Sequence, residues 1–207
     1  MSTEQRVTFR AAELRLEGML AIPEGATHAA AVCHPHPQYG GDMDNNVVRT
    51  VTDHLRRAGV ATLRFNFRGV GASDGRYGAG VGEAEDARAA VALLQERSGV
   101  GHVSLAGYSF GAMVALTAGH DHPGVDRLIA VALPLPMFDL SFLAACEKPK
   151  LFVLGERDQY CPLPALERAV TMLAGTNRLE RLAGADHFLA GREHDVGAQI
   201  AAFVGAP

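Results

Sequence analysis

Cysteine is scarce in this chain. Cys33, Cys146 and Cys161 are the three in 207 residues, odd in number and far apart. Such spacing suits neither a disulfide framework nor a zinc site, and it is read as reduced thiols in a cytoplasmic protein. Long apolar runs are missing as well. No stretch approaches the roughly 20 residues that span a bilayer, and the opening MSTEQRVTFR lacks the apolar centre of a secretory signal. Nor is there an excess of basic charge: 19 Lys and Arg stand against 23 Asp and Glu, a formal net charge of −4. That balance creates no field for nucleic acid or anionic lipid. Repeats, low-complexity tracts and long linkers are also lacking, so 1–207 is read as one domain, long enough to bury its own core.

What is present is a change of period along the chain. From Leu14 to Ile22, Leu14, Leu16, Gly18, Leu20 and Ile22 share one face, with Arg15 and Glu17 on the other. A period of two predicts a half-buried strand, and Val7 and Phe9 before it suggest an antiparallel partner. Short continuous apolar runs follow, at 29–33, 60–65, 103–106, 128–133 and 151–154, with a last strand at 178–182. Continuous runs of this length are the mark of strands buried on both faces of a parallel sheet. Between and after them lie helical stretches at about 46–58, 83–95, 110–118, 164–173 and 195–203. The expected fold class is therefore α/β, a mostly parallel, doubly wound sheet with an N-terminal antiparallel strand pair. Ligands of such sheets bind beyond the carboxyl ends of the strands, so chemistry is to be sought in the loops found there.

The loop after the strand at 103–106 reads Gly107-Tyr108-Ser109-Phe110-Gly111 and opens an Ala-rich helix. G-x-S-x-G between strand and helix marks a turn so sharp that side chains two residues either side of the serine collide. Glycine removes them and leaves the Ser109 hydroxyl exposed, with the Phe110 N–H aimed at a developing oxyanion. The plainer alternative is a serine that caps the helix, with glycines that ease packing. A serine hydroxyl needs a base, and Ser, then acid, then His is one established chain order. Asp158 follows the strand at 151–154, with Glu156 a competitor nearer the strand; His187 follows the strand at 178–182. Asp186 adjoins His187 in sequence and is badly placed to hold the same imidazole. In this reading His187 takes the Ser109 proton and Asp158 holds the imidazole.

Two further segments invite chemistry. His34-x-His36 has a chelating spacing with Asp42 and Asp44 close by, but Pro35 and Pro37 stiffen the loop and no further ligand pattern accompanies it. No metal is expected, and His34 is alternatively structural, bonding neighbouring loops. Gly69-Val70-Gly71 with Gly75 imitates a dinucleotide fingerprint, but the third glycine is one position late and opens no helix. It is read as a loop lining the mouth of the site.

Taken together, His34-Pro35-His36-Pro37 with Gly40, Gly41 and Met43, the run Arg64–Gly71 with Ser73 and Gly75, Gly107–Gly111, Gly155–Asp158 and Ala185–Phe188 resemble the α/β-hydrolase superfamily over nearly the whole chain. They are most similar to small bacterial esterase-like hydrolases with an H-P-H-P loop. The resemblance implies Ser109, Asp158 and His187 as a triad, oxyanion donors at Phe110 and in the H-P-H-P loop, and no cofactor. Proline has no N–H, so His36 or Gln38 is left as the loop donor, His36 being nearer the strand. About fifteen residues separate Leu133 from Lys150, too few for a cap domain. An open site follows, suited to a small or medium ester, thioester or lactone. The residues expected to meet substrate are His34, Gln38, Tyr108, Leu135, Met137 and Phe138. The expected partner is a small-molecule ester, with neither nucleic acid nor membrane, and the expected assembly is a monomer or weak homodimer.

Overall fold

A computed structural model describes residues 3–205. The first hairpin pairs β1 (Gln5–Ala11) with β2 (Leu14–Ala21), antiparallel, as the alternation predicted. Six further strands follow: β3 (Ala29–Cys33), β4 (Ala61–Phe65), β5 (Val103–Tyr108), β6 (Val125–Val131), β7 (Lys150–Gly155) and β8 (Asn177–Leu182). They form one sheet in the order β1-β2-β4-β3-β5-β6-β7-β8. β2 joins β4 antiparallel, and every later pairing is parallel. Short 3₁₀ turns at Leu135–Met137 and Ser141–Leu143 occupy the stretch between β6 and β7, and among the described residues no cap domain covers the sheet.

The helices are α1 (Asn46–Arg57), α2 (Val81–Ser98), α3 (Phe110–Gly119), α4 (Leu163–Thr171) and α5 (Glu193–Val204). α1 and α5 pack on one face of the sheet: Val47, Val48, Val51 and Leu55 meet Ile200, Phe203 and the strand residues Ala30, Val32, Ala106 and Ile129. The opposite face buries Ala31, Cys33, Leu63, Phe65, Leu105 and Phe152 under α2, α3 and α4. Successive residues of β3 thus feed two different cores, which is why it reads as an unbroken apolar run, whereas the buried Thr62 and Arg64 interrupt β4 and Ser104 interrupts β5. Asn45 caps α1 through its side-chain oxygen on the Val47 and Val48 N–H groups. At α2, Glu83 reaches back over the first turn, accepting from Gly80 N at 2.7 Å and also from Gly78 N at 2.7 Å.

The Gly69–Gly75 segment corrects two expectations at once. Glu17, expected on the polar face of β2, is buried, and its carboxylate accepts from Asn66 Nδ2 at 2.7 Å, Ala72 N at 2.8 Å and the Arg6 guanidinium. The glycine turn folds over that carboxylate. Gly71 has φ +58° and no room for a Cβ between Glu17 and Asn66. Ser73 accepts from Glu17 N and donates to Asn66 O, and Asp74 accepts from Arg15 N. These bonds hold the turn over the β2–β4 junction rather than at the mouth of the site; only further along, at Tyr77, does the loop reach the cleft.

Candidate active site

The sheet order places β3 and β5 side by side, with their following helices leaving to opposite faces. This is a switch point, where two loops part and leave a crevice. Cys33 pairs with Gly107 in register, so the loop after β3 and the turn after β5 start at the same level. β7 and β8 bring two more loops to the same end of the sheet.

Ser109 sits on the turn between β5 and α3 with φ +56° and ψ −119°. That region is costly for a residue with a Cβ, on the order of 1–3 kcal/mol, and it is held by its surroundings. The Ser109 N–H donates to Val131 O at 2.8 Å. A Cβ on Gly107 would strike the Gly111 carbonyl, and one on Gly111 the carbonyls of Cys33 and His34. Both glycines are thus required by close backbone approach. Ser109 makes no side-chain cap to α3, so its hydroxyl is not spent on the helix.

That hydroxyl lies 2.9 Å from His187 Nε2. His187 Nδ1 lies 2.9 and 3.1 Å from the two Asp158 oxygens. Asp158 Oδ1 also accepts from Tyr160 N at 2.8 Å and Cys161 N at 3.0 Å, which fixes the carboxylate. Its side chain is fully buried and that of His187 nearly so. Tyr108 donates its hydroxyl to His187 O at 3.1 Å, and burial pushes that phenol up to about 12. The Tyr160 ring meets the imidazole edge to face, centroids 4.7 Å apart. Chemically, Asp158 demands a proton on Nδ1, which leaves Nε2 as a lone pair facing the hydroxyl. Glu156 accepts from Gly184 N and Asp186 from Phe188 N, so the two competing carboxylates serve turns.

The loop after β3 divides its residues sharply. The Gln38 N–H donates to His36 Nδ1 at 3.2 Å, so it is spent. The N–H groups of His36 and Phe110 have no acceptor among the described residues. Phe110 is the first residue of α3, where helical N–H groups are free by construction.

A cleft of about 660 Å³ opens over Ser109. His36, Tyr39, Tyr77, Phe110 and Met113 line one part, and Pro134, Met137, Tyr160, His187 and Phe188 another. Tyr108 and Met137 were expected there. The other substrate contacts expected from the sequence lie elsewhere. His34 is wholly buried, accepting from Phe67 N at 3.1 Å through Nε2, with Nδ1 2.6 Å from Pro35 O. Gln38 stands outside the cleft lining, and Leu135 and Phe138 line a separate groove of about 310 Å³ against α4. Leu135 and Phe138 turn the other way because the 3₁₀ turn at Leu135–Met137 sends neighbouring residues to opposite sides. Tyr39, Tyr77, Met113, Tyr160 and Phe188 were not foreseen. Tyr160 and Phe188 stand beside Asp158 and His187 in sequence, and that adjacency was the available signal.

The buried His34 carries a stability prediction. Burial lowers its pKa from 6.5 to about 4. Both nitrogens are satisfied in the neutral Nδ1–H form, and a second proton would face the Phe67 N–H. The unfolded chain therefore binds a proton that the folded chain refuses, between about pH 6.5 and about pH 4. Stability contributed by neutral His34 is intact above that window and lost as pH falls through it, by about 3 kcal/mol at 1.36 kcal/mol per unit. Urea midpoints of the wild type and His34→Gln, measured from pH 7 to pH 4, should converge as pH falls. Parallel curves would show that His34 carries none of the acid sensitivity.

An α/β sheet with a strained serine at a strand–helix turn, backed by His and Asp from two later strand ends, defines a recognisable class. Sequence and structure comparisons agree with it. The family model described as the alpha/beta hydrolase fold matches residues 36–145, just over half of the chain, and the protein belongs to that family. A protein of Rickettsia prowazekii named only as uncharacterized is 34% identical over 193 residues, 88% of this chain and 81% of that one. The solved structure of an α/β serine hydrolase homologue from Coxiella burnetii is 33% identical with a TM-score of 0.89, covering 98% of each chain. An α/β serine hydrolase without lid from Xanthomonas campestris is 28% identical with a TM-score of 0.88, covering 99% of this chain and 97% of that one. No helix among the described residues is long and apolar enough to cross a membrane.

Proposed function

We propose that the protein is a serine hydrolase that cleaves uncharged carboxylic esters through an acyl-enzyme. The observation that carries this reading is the unbroken chain from Ser109 Oγ to His187 Nε2 (2.9 Å) and from His187 Nδ1 to Asp158 (2.9 Å), mounted on a backbone at φ +56°. His187 takes the hydroxyl proton as Oγ attacks the ester carbon. The carbonyl oxygen becomes an oxyanion, met by the N–H groups of Phe110 and His36; the engagement of the Gln38 N–H favours His36 as the second donor. The imidazolium, stabilised by Asp158, returns the proton to the departing alkoxide. Water then enters, gives its proton to the same nitrogen, and attacks the acyl carbon. Collapse releases the acid and restores the Ser109 hydroxyl.

The cleft bears on the substrate. Among the described residues that line it, none is Asp, Glu, Lys or Arg. A carboxylate or polyphosphate on the substrate would find no counter-ion there. That favours neutral esters over coenzyme-type thioesters or acidic lactones.

The test is a chain-length series of 4-nitrophenyl esters, together with labelling by a fluorophosphonate and mapping of the modified residue. Hydrolysis with label on Ser109 is the expected result. A folded protein that neither hydrolyses nor takes label would be a binding module on a hydrolase scaffold, and the proposal would be wrong.

A further inference from the structure

The aromatic side of the cleft contains a polar group that the mechanism does not use. Gln38 N–H donates to His36 Nδ1 at 3.2 Å, which makes Nδ1 the lone-pair nitrogen of a neutral ring. The hydrogen of that ring is then on Nε2, which lies 3.2 Å from the Tyr77 hydroxyl oxygen. Nε2 donates and the Tyr77 oxygen accepts. A phenol has one hydrogen of its own to give, and the Tyr77 hydrogen has no acceptor among the described residues. The Tyr77 ring is fixed besides by its packing on Phe110, centroids 5.8 Å apart, and on His36, 5.1 Å apart. Phe110 follows Ser109 directly, and Tyr77, Phe110 and Ser109 all line the same cleft.

The geometry points to Tyr77 as a specificity residue that donates a hydrogen bond to a neutral oxygen on the substrate, with His36 as the residue that positions it. Resting on the esterase reading, the inference narrows the substrate class to uncharged esters bearing an ether, hydroxyl or second carbonyl oxygen near the scissile bond. A hydrocarbon ester offers this half-buried donor no acceptor, and a site that offers a donor discriminates against the analogue lacking the acceptor. Burial and the nearby Glu83 carboxylate both hold the phenol in its protonated, donating form.

The test compares esters that differ by one oxygen for one methylene. On the acyl side the pair is 4-nitrophenyl methoxyacetate and butanoate; on the alcohol side, 2-methoxyethyl and butyl benzoate. The quantity read is the ratio of kcat/KM within each pair, in the wild type and in Tyr77→Phe, which cancels intrinsic reactivity. In at least one pair the preference for the oxygen-bearing ester should fall about three- to tenfold in Tyr77→Phe, the scale of one neutral hydrogen bond. Unchanged ratios in both pairs overturn the inference. Titration of the same pairs into Ser109→Ala, with and without Tyr77→Phe, reads the hydrogen bond without turnover. A shifted Kd ratio, together with a wild type that hydrolyses neither ester of the pair, keeps the Tyr77 site and sinks the esterase reading; hydrolysis by the wild type with flat ratios does the reverse. Failure to bind or hydrolyse any of the four overturns both. The nitrogen-15 shifts of the His36 ring give an independent check: a proton on Nε2 is expected, and one on Nδ1 would remove the basis of the inference.

Discussion

Replacing Ser109 by alanine is expected to lower kcat for a 4-nitrophenyl ester by about 10⁶, the scale on which loss of a triad member is felt. The substitution removes the one atom that bonds to the acyl carbon in the proposed mechanism, and little else. The hydroxyl makes its side-chain hydrogen bond to His187 and none to α3, so no cap is lost. The backbone at φ +56° and ψ −119° costs alanine about what it costs serine, since each carries a single unbranched Cβ. The fold should therefore survive, with an unchanged circular dichroism spectrum and urea midpoint. What remains is the slow attack of water, helped by the N–H groups of Phe110 and His36. Activity within tenfold of the wild type, in protein shown free of wild-type contamination, would sink the nucleophile assignment.

The strands buried on both faces were legible because burial leaves a signature that needs no partner to be known. β3 was read to the residue, since every one of its side chains enters a core. The ends of other elements were less legible. β6 begins at Val125, three residues before its apolar run, because Asp126 and Arg127 extend the strand while pairing with each other at 2.7 Å. It stops at Val131 although Ala132 and Leu133 are apolar, because Ala132 turns to φ 47°. α2 starts at Val81 rather than Glu83, since Glu83 is the third helical residue, reaching back to the N–H of Gly80 ahead of the helix. Glu17 misled the alternation for a related reason. Its polarity is answered by a turn more than fifty residues away, and no local period carries that information.

The candidate site divides in the same manner. The meeting of Ser109, Asp158 and His187 was legible because a triad would need fixed residue types at strand ends, and these follow one of its established chain orders. Apart from Tyr108 and Met137, the walls of the cleft were not, because they come from separate loops whose facing is decided by tertiary packing. His34 and His36 show the contrast within three residues. The first continues the line of β3 and is buried on Phe67, while the second lies past the proline and lines the cleft. Nothing in the H-P-H-P pattern distinguishes the two.

Asp158→Asn is expected to lower kcat by about 10⁴ while leaving the architecture in place. The argument turns on which way the new amide faces. Asp158 Oδ1 accepts from the N–H groups of Tyr160 and Cys161, at 2.8 and 3.0 Å, so only a carbonyl oxygen is tolerated there. The NH₂ of asparagine is forced into the place of Oδ2, 2.9 Å from His187 Nδ1. Two donors cannot face each other, and the imidazole answers by moving its proton to Nε2. The nitrogen beside Ser109 then carries a hydrogen instead of a lone pair and cannot take the hydroxyl proton. The imidazolium formed during attack also loses its buried counter-charge. Reaction of Ser109 with a fluorophosphonate should slow in parallel with ester turnover, because both require the same base. If asparagine at this position left both rates within tenfold of the wild type, Asp158 would be a turn residue, and the proton on His187 would be held by something other than its carboxylate.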